Sequence, residues 1–210
     1  MSLHAHDISF AYPGAGAAGA AGATGAGPIL CGINLEVPPG VVVGLHGYSG
    51  AGKSTLAKIL AGQLLPDAGQ VTVDGQPLHH GTYLPVQLIQ QHPERAIDAR
   101  WRLNKVVRGI SAETLERMGV EPDWLERYPL EVSGGQLQRI NISRALDPRT
   151  KYVVADEITT MMDALLQADI WAGLIDEVQR RQLGLLVISH DHDLLRHVCD
   201  RVVALDELGQ

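Results

Sequence analysis

Apolar positions along this chain follow two spacings, and together they predict strands that alternate with helices. Leu3–Phe10 and Ile29–Val37 show partial alternation of apolar and polar residues, which is typical of half-buried strands. Later in the chain come short runs, several of them continuously apolar as in strands buried on both faces. We predict strands at Val41–Leu45, Gln70–Asp74, Tyr83–Gln90, Tyr152–Ala155, Leu185–Ile188 and Val202–Leu205.

Apolar residues at helical spacing lie between these runs. Lys53–Gln63 has an apolar face, and so does the longer segment from about Arg100 to Arg127. Within that longer segment, Ser111 and Pro122 suit helix starts. Strands that alternate with helices predict an α/β fold, in which helices cover both faces of a parallel sheet.

Gly14–Gly27 interrupts the pattern, because it is built of Gly and Ala except for Thr24. Such a tract cannot bury a core, so we predict a flexible loop. It contains a literal G-x-G-x-x-G at Gly14–Gly19. No strand directly precedes that match and no amphipathic helix follows it, so a dinucleotide site is not indicated.

Composition is that of an ordinary soluble globular protein, with 210 residues, 45% hydrophobic and 20% charged. A net charge of −7 argues against a mainly nucleic-acid-binding surface. No apolar run approaches the roughly 18–20 residues that span a bilayer. Met1–Asp7 lacks the basic and apolar regions of a signal peptide, so we expect a cytosolic protein.

Cysteine and histidine do not form a recognisable metal pattern. Cys31 and Cys199 are isolated, and we expect packed free thiols. His79-His80 is expected in a turn, and His190 and His192 form an H-x-H. No cysteine or carboxylate cluster accompanies them at metal-site spacing, so a structural metal site is not indicated.

The strongest chemical pattern is Gly47–Ser54, which fits the P-loop form G-x-x-x-x-G-K-[ST]. Its three glycines let backbone N–H groups approach phosphate oxygens, and the following helix directs its positive dipole end at the anion. Lys53 would bind the β- and γ-phosphates, and the Ser54 hydroxyl would ligate Mg²⁺. We expect nucleotide contacts from Gly47, Tyr48, Ser49, Gly50, Ala51, Gly52, Lys53, Ser54 and Thr55.

A second pattern is the apolar strand that ends in Asp156-Glu157. In a P-loop protein we expect such a strand to lie beside the P-loop strand, which brings its end to the phosphates. Asp156 would then hold Mg²⁺, and Glu157 would act as general base toward water. The alternative is a capped strand end without catalytic function.

A third pattern, Ser133-Gly134-Gly135-Gln136, directly precedes the predicted helix Leu137–Leu146. A hydroxyl and two glycines before a helix form a second anion-binding N-terminus, here without a lysine. The alternative is an ordinary N-capped helix with a flexible entry.

Along the chain the order is Gly47–Ser54, Ser133–Gln136 and Asp156-Glu157. In that order, over essentially the whole chain, the three patterns resemble the nucleotide-binding subunit of ABC transporters. The resemblance implies a P-loop NTPase (RecA-like) core with an antiparallel β subdomain and a small helical subdomain. It implies a single ABC ATPase domain over residues 1–210. The β subdomain would comprise about residues 1–40 and 65–80, and the helical subdomain about residues 95–145.

The resemblance also assigns roles to isolated residues. Tyr12 matches the aromatic residue that stacks on adenine. Gln91 matches the glutamine that contacts Mg²⁺ and the attacking water, with Gln90 as the adjacent alternative. Asp163 matches an aspartate that communicates across a dimer, and His190 matches the switch histidine that contacts the γ-phosphate.

Some positions depart from the family pattern. Val132 replaces leucine and Ile158 replaces proline, while Thr160-Met161-Met162 replaces Ser-Ala-Leu. His46 stands before the P-loop, where a small or apolar residue is commoner. None of these changes removes a reacting group, so we expect an active site.

By the same resemblance, two ATPase subunits, either two copies or a copy and a relative, sandwich two ATP molecules head to tail. Transmembrane permease subunits and an extracytoplasmic substrate-binding protein would be the partners, at the cytoplasmic face of the membrane. Helical residues from about Arg100 to Arg127 and the loop after Gln91 would transmit motion. Tyr128–Glu131 resembles the importer style, and Gln91–Glu94 and Ala155–Thr160 resemble the peptide and nickel uptake group.

Two other classes stay open on the sequence alone. A soluble ABC ATPase of DNA repair would usually carry a long coiled coil, and one of translation would carry two cassettes. A small-molecule kinase would leave Ser133–Gln136 and His190 unexplained.

Overall fold

The structure is a computed structural model that describes residues 1–12, 28–78, 83–160 and 162–209. The predicted Gly/Ala loop, the His79-His80 turn and Met161 lie outside the described residues.

The described residues form nine strands and seven α-helices. The strands are β1 (Leu3–Phe10), β2 (Leu30–Val37), β3 (Val42–His46), β4 (Ala68–Val73), β5 (Gln76–Pro77), β6 (Val86–Ile89), β7 (Tyr152–Asp156), β8 (Gly184–Ile188) and β9 (Arg201–Ala204). The helices are α1 (Lys53–Leu60), α2 (Pro93–Ala96), α3 (Leu103–Val106), α4 (Ala112–Arg117), α5 (Gly134–Ala145), α6 (Ala164–Arg181) and α7 (His192–Val198). Three short 3₁₀ turns cover Pro122–Trp124, Pro129–Glu131 and Leu205–Glu207.

Five strands form a parallel sheet in the order β6-β7-β8-β3-β9. Leu45 of β3 and Asp156 of β7 both pair with Ile188 of β8, so these three strands end in one row. The segments that follow them must therefore emerge at the same edge of the sheet. That edge is where ligands bind in open α/β sheets.

The expectation that the carboxylate strand lies beside the P-loop strand is wrong. β8 lies between β3 and β7 and pairs with both. Order within a sheet depends on contacts between residues far apart in sequence, and apolar runs alone do not encode it. The common end row still brings the segments after β3 and β7 to one edge.

A second sheet is antiparallel, in the order β2-β1-β4-β5. It packs with α1 against one face of the parallel sheet, where Val154, Leu186 and Ile188 are buried. The opposite face carries Val153 and Val187, which pack with residues of α5 and α6. Both faces are covered because successive side chains of a strand point to opposite sides.

Asp74 connects the antiparallel sheet to the parallel one. It follows β4 with a left-handed φ of 54°. Its carboxylate accepts hydrogen bonds from Lys151 Nζ at 2.6 Å and from the Tyr152 hydroxyl at 2.8 Å. Burial alone would raise the pKa of Asp74, but these hydrogen bonds outweigh burial and lower it below the ordinary value.

The segment from Arg100 to Arg127 is more broken than predicted. Instead of long helices it contains α3, α4 and a 3₁₀ turn. Gly109 and Gly119 adopt left-handed φ values of 93° and 64°, which end helical segments. Ser111 does begin a helix, because its hydroxyl accepts the Thr114 N–H at 3.1 Å.

Several predicted ends also shift. The helix after the P-loop stops at Leu60, before the left-handed Gly62.

Cys199 is half-buried, but Cys31 is exposed and not packed, because it occupies an outward position of β2. Across the described ranges, no helix is both long enough and apolar enough to cross a membrane.

Candidate functional site

The loop between β3 and α1 forms a cradle of backbone N–H groups. Gly50 and Gly52 have left-handed φ values of 81° and 104°. A Cβ at Gly52 would come within 2.8 Å of the Ile29 and Leu30 side chains, so only glycine fits. Gly52 caps α1 without a side-chain hydrogen bond, which leaves the first N–H groups of the helix available to an anion.

Lys53 is anchored within the loop that precedes it. Its Nζ donates to the carbonyl oxygens of Gly47 at 2.7 Å and Tyr48 at 3.0 Å. An ammonium group has three donors, so one is left for a phosphate oxygen.

Asp156 ends β7 with an acceptor that lacks a partner. Its Oδ1 is buried and receives no hydrogen bond from any described residue. Burial raises the pKa of Asp156 and the negative charge of Glu157 adds to this, while a Ser54 hydrogen bond and the charge of Lys53 oppose it. An unpaired buried carboxylate oxygen beside a hydroxyl suits a hard cation, so these residues fit Mg²⁺.

Glu157 is held by several donors. Its own φ is 54°, and its N–H donates to the Ile188 carbonyl at 3.0 Å. The His190 N–H donates to Oε1 at 3.0 Å, and His190 Nδ1 lies 2.9 Å from Oε1 and 3.0 Å from Oε2. Because an ionised carboxylate only accepts, Nδ1 carries the proton in this contact, and Nε2 has no hydrogen-bond partner among the described residues.

The Thr160 hydroxyl also reaches Glu157. Its Oγ1 lies 2.9 Å from Oε2 and 3.1 Å from the backbone oxygen of Glu157. From the sequence, Thr160 was noted only because it departs from the family pattern. Its contact with Glu157 could have been predicted from the presence of a hydroxyl three residues after the candidate base.

These elements open onto one cleft of about 450 Å³. The Tyr12 hydroxyl lies 3.3 Å from Thr55 Oγ1, and its ring packs edge-on against Phe10. Gln91 lines this cleft and Gln90 does not. The cleft is lined by Tyr12, Ile29, Ser49, Gly50, Gly52, Lys53, Ser54, Thr55, Gln91, Asp156, Glu157 and His190.

Three predicted P-loop residues lie outside that lining. Gly47 and Tyr48 line a neighbouring cleft together with His46 and His192, whose rings are 4.8 Å apart. Ala51 is half-buried within the loop. The two histidines of the H-x-H therefore contact different side chains, since His190 binds Glu157.

The structure does not bring Ser133–Gln136 or Asp163 into the cleft. Ser133 Oγ accepts the Gln136 N–H at 3.2 Å, and Gln136 Oε1 accepts the Ser133 N–H at 2.9 Å, which together form a capping box on α5. Asp163 caps α6 by accepting the N–H groups of Leu165 and Leu166 at 3.1 and 3.0 Å. Both groups fall outside the single-chain cleft.

A glycine loop between a parallel strand and a helix, with paired carboxylates at the same sheet edge, defines the class of P-loop NTPases. Residues 30–160 match the family described as ABC transporter. The chain belongs to this family and is an ABC ATPase. The predicted family and fold class are thereby confirmed.

Relatives carry names from import systems. The chain is 36% identical over 227 residues to the nickel import ATP-binding protein NikE of Pseudomonas putida, covering 97% of this chain and 81% of that protein. It is 36% identical to the methionine import ATP-binding protein MetN of Caulobacter vibrioides, covering 85% and 59%. It is 34% identical to a probable D,D-dipeptide transport ATP-binding protein, DdpF of Escherichia coli, covering 85% and 61%.

Solved structures share the fold. A dimeric ATP-binding cassette in a post-hydrolysis state with ADP and Pi aligns with a TM-score of 0.78 at 21% identity, covering 97% of this chain and 94% of that one. A putative ABC transporter ATP-binding protein from Pyrococcus furiosus aligns over the full length of both chains, with a TM-score of 0.73 at 18% identity.

Proposed function

We propose that this chain hydrolyses ATP to power import through a membrane transporter, and that each ATP site is shared with a second cassette. The observation that carries the proposal is the division of the predicted site. The cleft brings together part of the P-loop, including Lys53 and Ser54, with Asp156, Glu157 and His190, but it leaves Ser133–Gln136 outside. The proposal treats residues 1–210 as one cassette with the subdomains predicted from the sequence.

Binding of ATP follows from the charges and donors in the cleft. The N–H groups of the P-loop and the third donor of Lys53 bind the phosphates. Tyr12 provides an aromatic face for adenine, and its hydroxyl contact with Thr55 holds that ring near the start of α1.

Mg²⁺ would be held by Ser54, Asp156 and Gln91, and when bound it would neutralise charge on the phosphates. Before that, burial makes ionised Asp156 costly in the free protein. The unpaired Oδ1 of Asp156 is therefore an acceptor that a cation bound in the cleft would satisfy.

Hydrolysis needs a base aimed at water. Glu157 accepts a proton as the water oxygen attacks the γ-phosphorus, and the bond from that phosphorus to the β-phosphate oxygen breaks, so ADP and phosphate form. The Nδ1–H and backbone N–H of His190 fix the carboxylate, and Nε2 of the doubly protonated ring would donate to a γ-phosphate oxygen. Both contacts depend on β7 and β8 ending in one row.

The second cassette completes the site. A P-loop leaves one side of the γ-phosphate open, and the N-terminus of α5 from another subunit can cover it. The N–H groups of Gly134 and Gly135 belong to the first turn of α5, so they have no partner within the helix. Asp163 of each subunit would lie at the same contact. ATP binds the closed pair better than the open pair, so hydrolysis opens it.

Transport requires membrane partners. We place it at the cytoplasmic face of the membrane, on permease subunits fed by an extracytoplasmic binding protein, with no nucleic acid involved. The names of the relatives give nickel, peptides and methionine as cargo, and of these we propose nickel or peptides, because Gln91–Glu94 and Ala155–Thr160 resemble that group. The region before α5 offers exposed Tyr128 and Leu130 for contact with the permease.

Purification of the chain with its membrane partners tests the proposal. We expect permease subunits to co-purify and phosphate release to rise when cargo-loaded binding protein is added. ATP hydrolysis stimulated by nucleic acid, without a membrane partner, would instead support a repair or translation ATPase.

A further inference from the structure

We propose that Thr160 is a positioning residue, which holds the Glu157 carboxylate in the orientation that catalysis requires. The inference rests on the proposed function, in which Glu157 is the general base. It adds a residue that acts only through Glu157.

Hydrogen-bond geometry fixes what Thr160 can do. Its hydroxyl has one proton, and the Glu157 Oε2 at 2.9 Å is nearer than the backbone oxygen at 3.1 Å. A hydrogen bond to a charged group is stronger than one to a neutral carbonyl. The proton therefore goes to the carboxylate.

The two oxygens of the carboxylate are held unequally. Oε1 accepts both the backbone N–H and the Nδ1–H of His190. Oε2 shares that Nδ1–H at 3.0 Å and accepts the Thr160 hydroxyl. Without Thr160, the donors that the described residues supply to the carboxylate all come from His190. With it, Oε2 is fixed and has acceptor capacity left for one water.

The backbone explains how the hydroxyl reaches this position. Glu157 has a φ of 54°, an uncommon value for a residue with a Cβ, and its N–H is bound to β8. The chain turns at that point, which brings residue 160 back beside residue 157. Geometry of this kind at a candidate active site is consistent with a positioning role.

Thr159 provides a natural contrast. It is buried, and its hydroxyl accepts the Trp171 Nε1–H at 3.1 Å. The hydroxyls of these two adjacent threonines thus form hydrogen bonds with different residues. Thr159 stabilises the packing of α6, while the exposed Thr160 binds the carboxylate.

The test compares Thr160→Val, which removes the hydroxyl at constant shape, with Thr160→Ser, which keeps it. We expect kcat for ATP hydrolysis to fall about tenfold in Thr160→Val, equivalent to about 1.4 kcal/mol, with an unchanged KM for ATP. Thr160→Ser should recover kcat. Equal kcat values for Thr160→Val and wild type, or for Thr160→Ser and Thr160→Val, would overturn the proposal.

Thr159→Val is the matched control. It should lower the melting temperature, because it leaves the Trp171 N–H unpaired, and keep kcat near wild type. A loss of kcat in Thr159→Val equal to that in Thr160→Val would also overturn the proposal.

Glu157→Gln separates this inference from the proposed function. If Glu157→Gln is inactive but Thr160→Val is fully active, only the role of Thr160 is wrong. Wild-type hydrolysis in Glu157→Gln would overturn both. In the Glu157→Gln background, adding Thr160→Val should cause no further loss of residual activity.

Discussion

Asp156→Asn should stabilise the free protein and abolish Mg²⁺-dependent hydrolysis. The buried Oδ1 of Asp156 lacks a hydrogen-bond partner within the described ranges, and burial raises the pKa of this carboxyl. Asparagine removes the charge at similar volume, and the Ser54 hydroxyl can still bind the amide. Residues that lower the stability of the fold but are needed for function are common positions for such stabilising substitutions.

The magnitude follows from the cost of an unsatisfied buried group, about 1–3 kcal/mol. In asparagine the NH2 group that replaces Oδ1 also lacks a partner, so only the extra cost of burying a charge is removed, and we expect a gain of about 1 kcal/mol. For a chain of this size that gain raises the melting temperature by roughly 2–4 °C.

The gain should depend on pH in a defined direction. Because the folded pKa of Asp156 is raised, the folded state holds this proton more tightly than the unfolded state. The wild type therefore loses stability as pH rises from the ordinary aspartate range through the raised pKa. The difference between Asp156→Asn and wild type should be present at neutral pH and vanish below the ordinary aspartate range.

Thermal unfolding of the metal-free and nucleotide-free proteins across that pH range measures the effect. Phosphate release with Mg²⁺ measures the loss of activity in the same preparations. A melting temperature below wild type at neutral pH, or a difference that does not change with pH, would refute the reasoning.

Two further substitutions test other parts of the molecule. Glu157→Gln should keep ATP binding, stop turnover and accumulate an ATP-bound dimer, seen by nucleotide titration and size-exclusion chromatography; wild-type hydrolysis would contradict its role as base. Asp74→Asn should destabilise the fold by about 1.5 kcal/mol, because it weakens charge-assisted hydrogen bonds from Lys151 and Tyr152. The lowered pKa of Asp74 means that this contribution is present above the ordinary aspartate pKa and is lost as pH falls through the lowered value. Urea unfolding at neutral and acidic pH measures it, and a difference that grows on acidification would count against the assignment.

Local features of the site could be predicted from the sequence. β3, the glycine loop and α1 are contiguous, so spacing and composition alone specify them. Ser111 and Ser133 begin helices as their side chains suggest. Each of these features depends on residues a few positions apart.

Features that depend on distant residues could not be predicted in the same way. The insertion of β8 between β3 and β7 is a pairing across more than 100 residues, and no local pattern records it. The contact of Thr160 with Glu157 requires the left-handed backbone of Glu157, which is unusual for glutamate. In the Arg100–Arg127 segment, the helical spacing of apolar residues predicted long helices. Gly109 and Gly119 were the local indication against them, because left-handed glycines end helical segments.

Ser133→Arg tests the central claim that this chain holds half of each ATP site. Ser133 and Ser111 are both exposed helix caps, so Ser111→Arg is a control with the same change and a similar cost in stability. ATP affinity of the isolated chain and ATP hydrolysis by the assembled transporter are measured for both variants. We predict unchanged ATP affinity for both, with hydrolysis lost only in Ser133→Arg. Loss of ATP binding by the isolated Ser133→Arg chain, or wild-type hydrolysis in its transporter, would contradict the claim.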